Sequence, residues 1–165
     1  MTTWYINLQK LLDYEPPEDE QDMEEVCLGQ RFFVYDLPKN FYGGTFECLQ
    51  GQWGTEVLLH QYFRHNCKTA DPDAADWFYV PLHATCLYVK LNENVSEDLI
   101  LNMDEVSNRF IFDPMMDLLR KSRYFHRLNG ADHIFLFADG QGPRIWDSHW
   151  LVWLVHFYIC LPYAA

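Results

Sequence analysis

The sequence predicts an α/β domain with a parallel sheet laid down in βαβαβ order. Three observations predict it. Residues 30–36, 77–80 and 133–138 are short apolar runs rich in β-branched and aromatic side chains, each ending at an Asp or Pro corner. The interval between the first two runs holds an amphipathic helical stretch, and the interval between the last two holds a pair of helical segments. Strands that alternate with helices in this way pair in parallel, with the helices covering the sheet.

The first 28 residues read as an acidic, flexible segment. Residues 13–25 carry eight Asp or Glu and no Lys or Arg, around Pro16-Pro17. The formal charge of the 165-residue chain is −12, so the remainder carries only −4. Nucleic acid binding needs a basic footprint, and none is present. Residues 29–150 form the predicted domain. Its first strand, 30–36, contains Phe32-Phe33-Val34, a continuous apolar run suited to a strand covered on both faces. A corner at Asp36-Leu-Pro-Lys-Asn40 and glycines 43, 44 and 51 follow.

Residues 52–65 read as a helix. Trp53, Val57, Leu58 and Tyr62 share one face, while Glu56, His60 and Arg64 make an i, i+4, i+8 row on another. That row is either a solvated charge ladder, the commoner arrangement, or an edge facing a site. His60 and His65 are five apart and do not stack as helical metal ligands, so no metal is expected. Asp71-Pro72 reads as a cap followed by a residue whose fixed φ suits a first helical position. Trp77-Phe-Tyr-Val80 is the second strand, and Pro81, with no N–H to give a ladder, ends it.

Residues 83–93 are expected to be irregular. Asn94 and Glu97 have the spacing of a reciprocal cap, so a helix is expected from about Ser96, with Leu99, Leu101, Met103 and Val106 as its apolar residues. Asp113-Pro114 is expected to restart the helix by the device seen at Asp71. Met115, Leu118 and Leu119 would then be buried, and Gly130 would sit at C′. The third strand, 133–138, runs into Asp139-Gly-Gln-Gly-Pro143. This is a turn: the third glycine of a dinucleotide fingerprint is missing, and Pro143 removes a backbone donor. Residues 151–165 form an apolar tail. Its core of eleven residues, 151–161, falls short of the roughly 20 that span a bilayer. It reads as an edge strand, a short buried helix, or non-native sequence from a truncated or misspliced frame. The five cysteines contain no Cys-x-x-Cys pair, and an odd number leaves one free or paired outside the chain. Asn94-Val95-Ser96 is a glycosylation sequon.

Four motifs in this order resemble the exostosin-like glycosyltransferases of family 47. They are Phe33-Val-Tyr-Asp-Leu-Pro38; Trp53-Gly-Thr-Glu56; Lys68-Thr69 with Asp71-Pro72, Ala75-Asp76 and Phe78-Tyr-Val-Pro81; and Asn129-Gly-Ala-Asp-His-Ile-Phe135. The resemblance covers residues 31–150. It implies a Rossmann-like half-domain forming the N-terminal lobe of a two-lobed GT-B enzyme. Such an enzyme moves a sugar from a nucleotide-sugar donor to a glycan acceptor. The expected donor is a UDP-sugar held by the second lobe, so this chain alone is expected to bind no cofactor and to transfer no sugar.

The resemblance also implies a glycan acceptor as partner, together with a C-terminal lobe or a full-length paralogue. It further implies a Golgi or secretory-pathway setting, reached through a membrane anchor that this chain lacks. The alternative is a catalytically inactive module that binds acceptor or partner. In an open parallel sheet, ligands sit beyond the carboxyl ends of the strands. Those ends place Asp36, His83, Asp139 and Arg144 at one crevice. Asp139 and His83 are the candidate bases, and Asp36 and Arg144 the candidate substrate contacts.

Overall fold

The structure, a computed structural model, describes residues 27, 29–42, 54–94, 103–138 and 158–159. Four strands, β1 (Phe32–Val34), β2 (Trp77–Val80), β3 (His133–Leu136) and β4 (Tyr158–Ile159), lie side by side in chain order. All three pairings are parallel, with Phe33 opposite Phe78, Phe78 opposite His133, and Phe135 opposite Tyr158. The sequence places the first three strands within a residue or two of their ends. β4 lies inside the apolar run 151–161.

Alternation along the strands sends successive side chains to opposite faces, and helices cover both. One face carries Val34, Tyr79, Ile134 and Leu136 and buries Leu59 of helix α1 (Gly54–Tyr62). Helix α1 continues through a π turn, Phe63–Cys67, whose Phe63 ring lies 4.7 Å from Phe32 and 4.8 Å from Tyr79. The other face carries Val80, Phe135 and Phe137. It meets Ile111, Phe112, Met115, Met116, Leu119 and Phe125 from the helical segments between β2 and β3. These segments are α2 (Ala84–Asn94), α3 (Met103–Ser107), a π turn at Asn108–Phe112, α4 (Asp113–Leu119) and α5 (Arg123–Arg127).

The amino ends of the strands are tied by charge and by caps. Asp71 has extended backbone, and its Oδ1 accepts the Asp73 N–H at 3.0 Å at the head of a single 3-10 turn, Pro72–Ala74, as the Asp-Pro signal predicts. Asp76 accepts the backbone N–H of Arg31 at 2.8 Å and its Nε at 3.4 Å, fixing the entry to β1. The Arg31 N–H and side chain together hold the Asp76 carboxyl below the usual range. A disulfide joins Cys27 to Cys67 across 40 residues, and Cys86 is disulfide-bonded as well.

Three expectations need correction. Residues 83–93 are not irregular, because α2 runs from Ala84 to Asn94. Asp113 is not a cap: the backbone is already helical at Phe112, and no side-chain cap bond forms, so Pro114 merely occupies the first turn of a helix that continues from the π turn. Gly130 is not C′ but one residue further on. Asn129 takes the left-handed position with φ 51°, its N–H donating to the His126 carbonyl, while the Gly130 N–H donates to the Phe125 carbonyl at 2.8 Å. These two bonds are those of a Schellman end. Gly130 has φ 76°, and a Cβ there would lie 2.8 Å from the Phe125 ring, so side chains are excluded on two counts. The helix start expected near Ser96 lies outside the described residues.

Candidate functional site

The carboxyl ends of β1, β2 and β3 converge with helix α1, and the polar side chains gathered there come from α1 and from the segments that follow β1 and β2. His83 follows β2 by three residues and serves as the N-cap of α2, its carbonyl accepting the Leu87 N–H at 2.9 Å. The ring is 3% exposed. Its Nε2 lies 3.2 Å from Nδ1 of His60, which α1 projects from the opposite side. Tyr42, just past β1, closes the cluster. Its ring stacks on His60 at 5.2 Å and lies 5.5 Å from His83, while its hydroxyl accepts the Leu37 N–H at 2.9 Å.

Burial holds both imidazoles down to about 4, so each is neutral at physiological pH. For His60 the Arg64 guanidinium adds to the lowering and the Asp36 carboxylate opposes it. For His83 the neighbouring His60 adds to it. Two neutral rings facing nitrogen to nitrogen share one proton, one donating and the other accepting. His83 Nδ1 is buried with no hydrogen-bond partner. A buried polar atom left unpaired costs on the order of 1–3 kcal/mol, and among the described residues Ser107 Oγ is in the same situation.

Beneath the histidines lies Glu56, fully buried. Its carboxylate accepts the Thr85 N–H at 3.0 and 3.2 Å, the Thr85 hydroxyl at 2.6 Å and the Ala138 N–H at 3.0 Å. Desolvation raises its pKa to about 7 against the lowering effect of these donors. Of the sequence candidates, His83 stands at the centre of the cluster, and Asp36 is exposed at its rim, near enough for its charge to act on His60 and Tyr42. Asp139 and Arg144 lie outside the described residues, though Ala138, held by Glu56, immediately precedes Asp139 in the chain. Among the described residues, no three His, Cys, Asp or Glu side chains gather where a metal ion could be held.

Sequence reasoning missed Glu56, His60 and Tyr42 as members of this cluster. The signal was present, since Glu56 and His60 form an i, i+4 pair. The structure resolves the two readings of that row: Glu56 and His60 are buried at the site edge, and only Arg64, a turn further on, is exposed.

The fold and this edge define an α/β domain with its polar chemistry at the carboxyl ends of parallel strands. Residues 27–150 match the family described as the Exostosin GT47 domain, and the chain belongs to that family. Among curated relatives, a probable glucuronosyltransferase of Oryza sativa subsp. japonica is 30% identical over 126 residues, covering 73% of this chain and 27% of the relative. A probable beta-1,4-xylosyltransferase of Arabidopsis thaliana is 26% identical over 126 residues, covering 73% of this chain and 29% of its own length. The chain thus spans between a quarter and a third of these relatives. No solved structure matches it. Among the described residues, no helix is long and apolar enough to cross a membrane.

Proposed function

We propose that this chain is the acceptor-side, N-terminal lobe of a GT-B glycosyltransferase with a Rossmann-like half-fold, and that it presents a glycan hydroxyl to a UDP-sugar held by a second lobe. The relatives' names make glucuronic acid and xylose the donor sugars to test first. The observation that carries the reading is the His60–His83–Tyr42 cluster. It sets a neutral imidazole with an unpaired nitrogen against an aromatic ring, beyond the carboxyl ends of the strands. Aromatic faces suit the apolar side of a sugar ring, and an imidazole lone pair suits its hydroxyls.

In an inverting transfer, a base removes the proton from the acceptor hydroxyl as its oxygen attacks the anomeric carbon, and the nucleoside diphosphate leaves with the electrons of the broken bond. His83 and Asp139 are the proton acceptors we assign here, and His83 serves in the tautomer whose Nε2–H donates to His60 Nδ1, leaving the lone pair on its Nδ1. Asp36, exposed at the rim, and Arg144 are the residues we assign as contacts for the acceptor's hydroxyls. On this reading the second lobe holds the nucleotide-sugar and this chain takes the acceptor. The expected setting is the Golgi or another secretory compartment.

Calorimetric titration of the chain with xylo-oligosaccharides and, separately, with UDP, UDP-xylose and UDP-glucuronic acid tests this reading. Binding of an oligosaccharide without binding of nucleotide is the expected result. Nucleotide binding without any glycan binding would reverse the lobe assignment. The same chain incubated with donor and acceptor together should form no product above a heat-killed control, and turnover would show that it carries a donor site of its own.

A further inference from the structure

We propose that Glu56 is the positioning residue of this site, a remote cap that frees position 83 to carry an imidazole. The inference rests on reading His83 as a site residue. A helix ordinarily satisfies its first free N–H groups through the side chain of its own N-cap, most often Ser, Thr, Asp or Asn. In α2 the N-cap is His83, and its ring turns away to meet His60. The N–H of Thr85, in the first turn of α2, goes instead to the Glu56 carboxylate, delivered from α1 across 29 residues of sequence. The Thr85 hydroxyl adds a second tie at 2.6 Å.

The same carboxylate reaches Ala138 N–H, 82 residues away in sequence, at the point where the chain leaves β3 for Asp139. One buried acid therefore fixes how the backbone departs from both β2 and β3. A carboxylate serving only as a helix cap has no need of the second strand. The titratable groups around it are Tyr79 from β2, His60 from its own helix and His83 from the head of α2, with Asp36 and Arg64 at the rim. With its pKa raised to about 7, Glu56 holds a proton wherever these histidines titrate, so Glu56→Gln would imitate it, whereas Glu56→Ala removes both accepting oxygens.

The test follows the imidazole ring signals of the intact chain by NMR across pH in wild type and Glu56→Ala. His133 is an internal reference, because it opens β3 at the amino end of the sheet, away from the carboxyl-end cluster, touches none of these atoms and is also held near 4 by burial. If Glu56 sets the His83 corner, the His83 and His60 midpoints rise toward the ordinary imidazole value by about one pH unit or more as water enters, while His133 stays in place. Should Glu56→Ala fail to fold, Thr85→Val removes only the 2.6 Å tie and is read the same way, with a smaller shift expected.

Unmoved His83 and His60 signals in a folded variant overturn the proposal. So do all three histidines moving together, which reports general loosening. Failure of the wild-type chain to bind glycan would overturn the functional reading while leaving these ring signals, and hence the positioning claim, to be judged separately.

Discussion

Two buried histidines at different places in the fold differ in how their ring nitrogens are satisfied, and on the proposed reading that difference separates a scaffold imidazole from one held for use. His133 opens β3 and has both nitrogens engaged: Nδ1 lies 2.8 Å from Asp132 Oδ1, and Nε2 lies 2.9 Å from the Tyr35 hydroxyl. The chain of partners runs on in both directions. Asp132 Oδ2 accepts Arg127 Nε at 2.9 Å, and the Tyr35 hydroxyl lies 3.1 Å from Ser122 Oγ, itself the cap of α5. The His133 ring stacks on Phe78 at 4.9 Å with 9° between the planes. His83 is as deeply buried, yet Nδ1 has no partner and Nε2 meets only another neutral imidazole. Both rings are pushed to about 4 by burial, so the pKa alone does not tell them apart. The unpaired nitrogen does.

Acid should strain both regions at once, and this is the largest effect expected. Between about pH 4.5 and 6.5, His60, His83 and His133 are neutral in the folded chain and charged in the unfolded one, so each favours unfolding as pH falls. Glu56 works in the opposite sense. With its folded value raised to about 7, the folded state keeps a proton that the unfolded chain sheds above about 4.5, a contribution present at low pH and lost as pH rises through 7. The unfolded state is ahead by two protons, so stability should climb by roughly 2–3 kcal/mol per pH unit up to about 6.5. It should then ease slightly to pH 7 and level off. Thermal melts from pH 4.5 to 7.5 give the profile, and a maximum below pH 5 would contradict it.

Next in size is Asp132→Ala, which strips His133 and Arg127 of their shared partner. Leaving those groups unpaired should cost about 3 kcal/mol in denaturant unfolding without changing glycan affinity. Loss of affinity at unchanged stability would mean that the His133 network belongs to the site. Asp71→Ala should cost about 1 kcal/mol, the usual loss for one cap, again with binding unchanged. If binding disappears while stability holds, Asp71 has been misread. The smallest stability effect should come from His83→Leu. One unpaired nitrogen disappears and another is created on His60, so the change should stay within about 1 kcal/mol while glycan affinity falls tenfold or more.

Much of the fold is legible in the sequence because its signals are local. Trp77-Phe-Tyr-Val80 announces a strand and Pro81 its end, while Asp71-Pro72 announces a capped turn, and each depends on neighbours a few residues away. The motifs that carry the family resemblance are largely of this scaffold kind. Asp76 anchors the entry to β1, Asp132 anchors His133, and Gly130 leaves room for Phe125. Helix α2 was not legible, for a physical reason. Its start, His83-Ala-Thr-Cys, has no local cap, because the acceptor for its free N–H groups arrives from Glu56 on another helix. The Glu56–His60 row was equally ambiguous, since a 3.6-residue period gives the face of a helix but not what that face meets.

The central claim is that the unpaired histidine marks the site and the paired one does not. Imidazole signals of the wild-type chain, followed while a xylo-oligosaccharide is added to saturation at constant pH, test it most directly. The account predicts that the His83 and His60 resonances move with a common binding curve while His133 stays still. Movement of His133 with His83 and His60 silent would place the ligand at the amino ends of the strands and contradict the account.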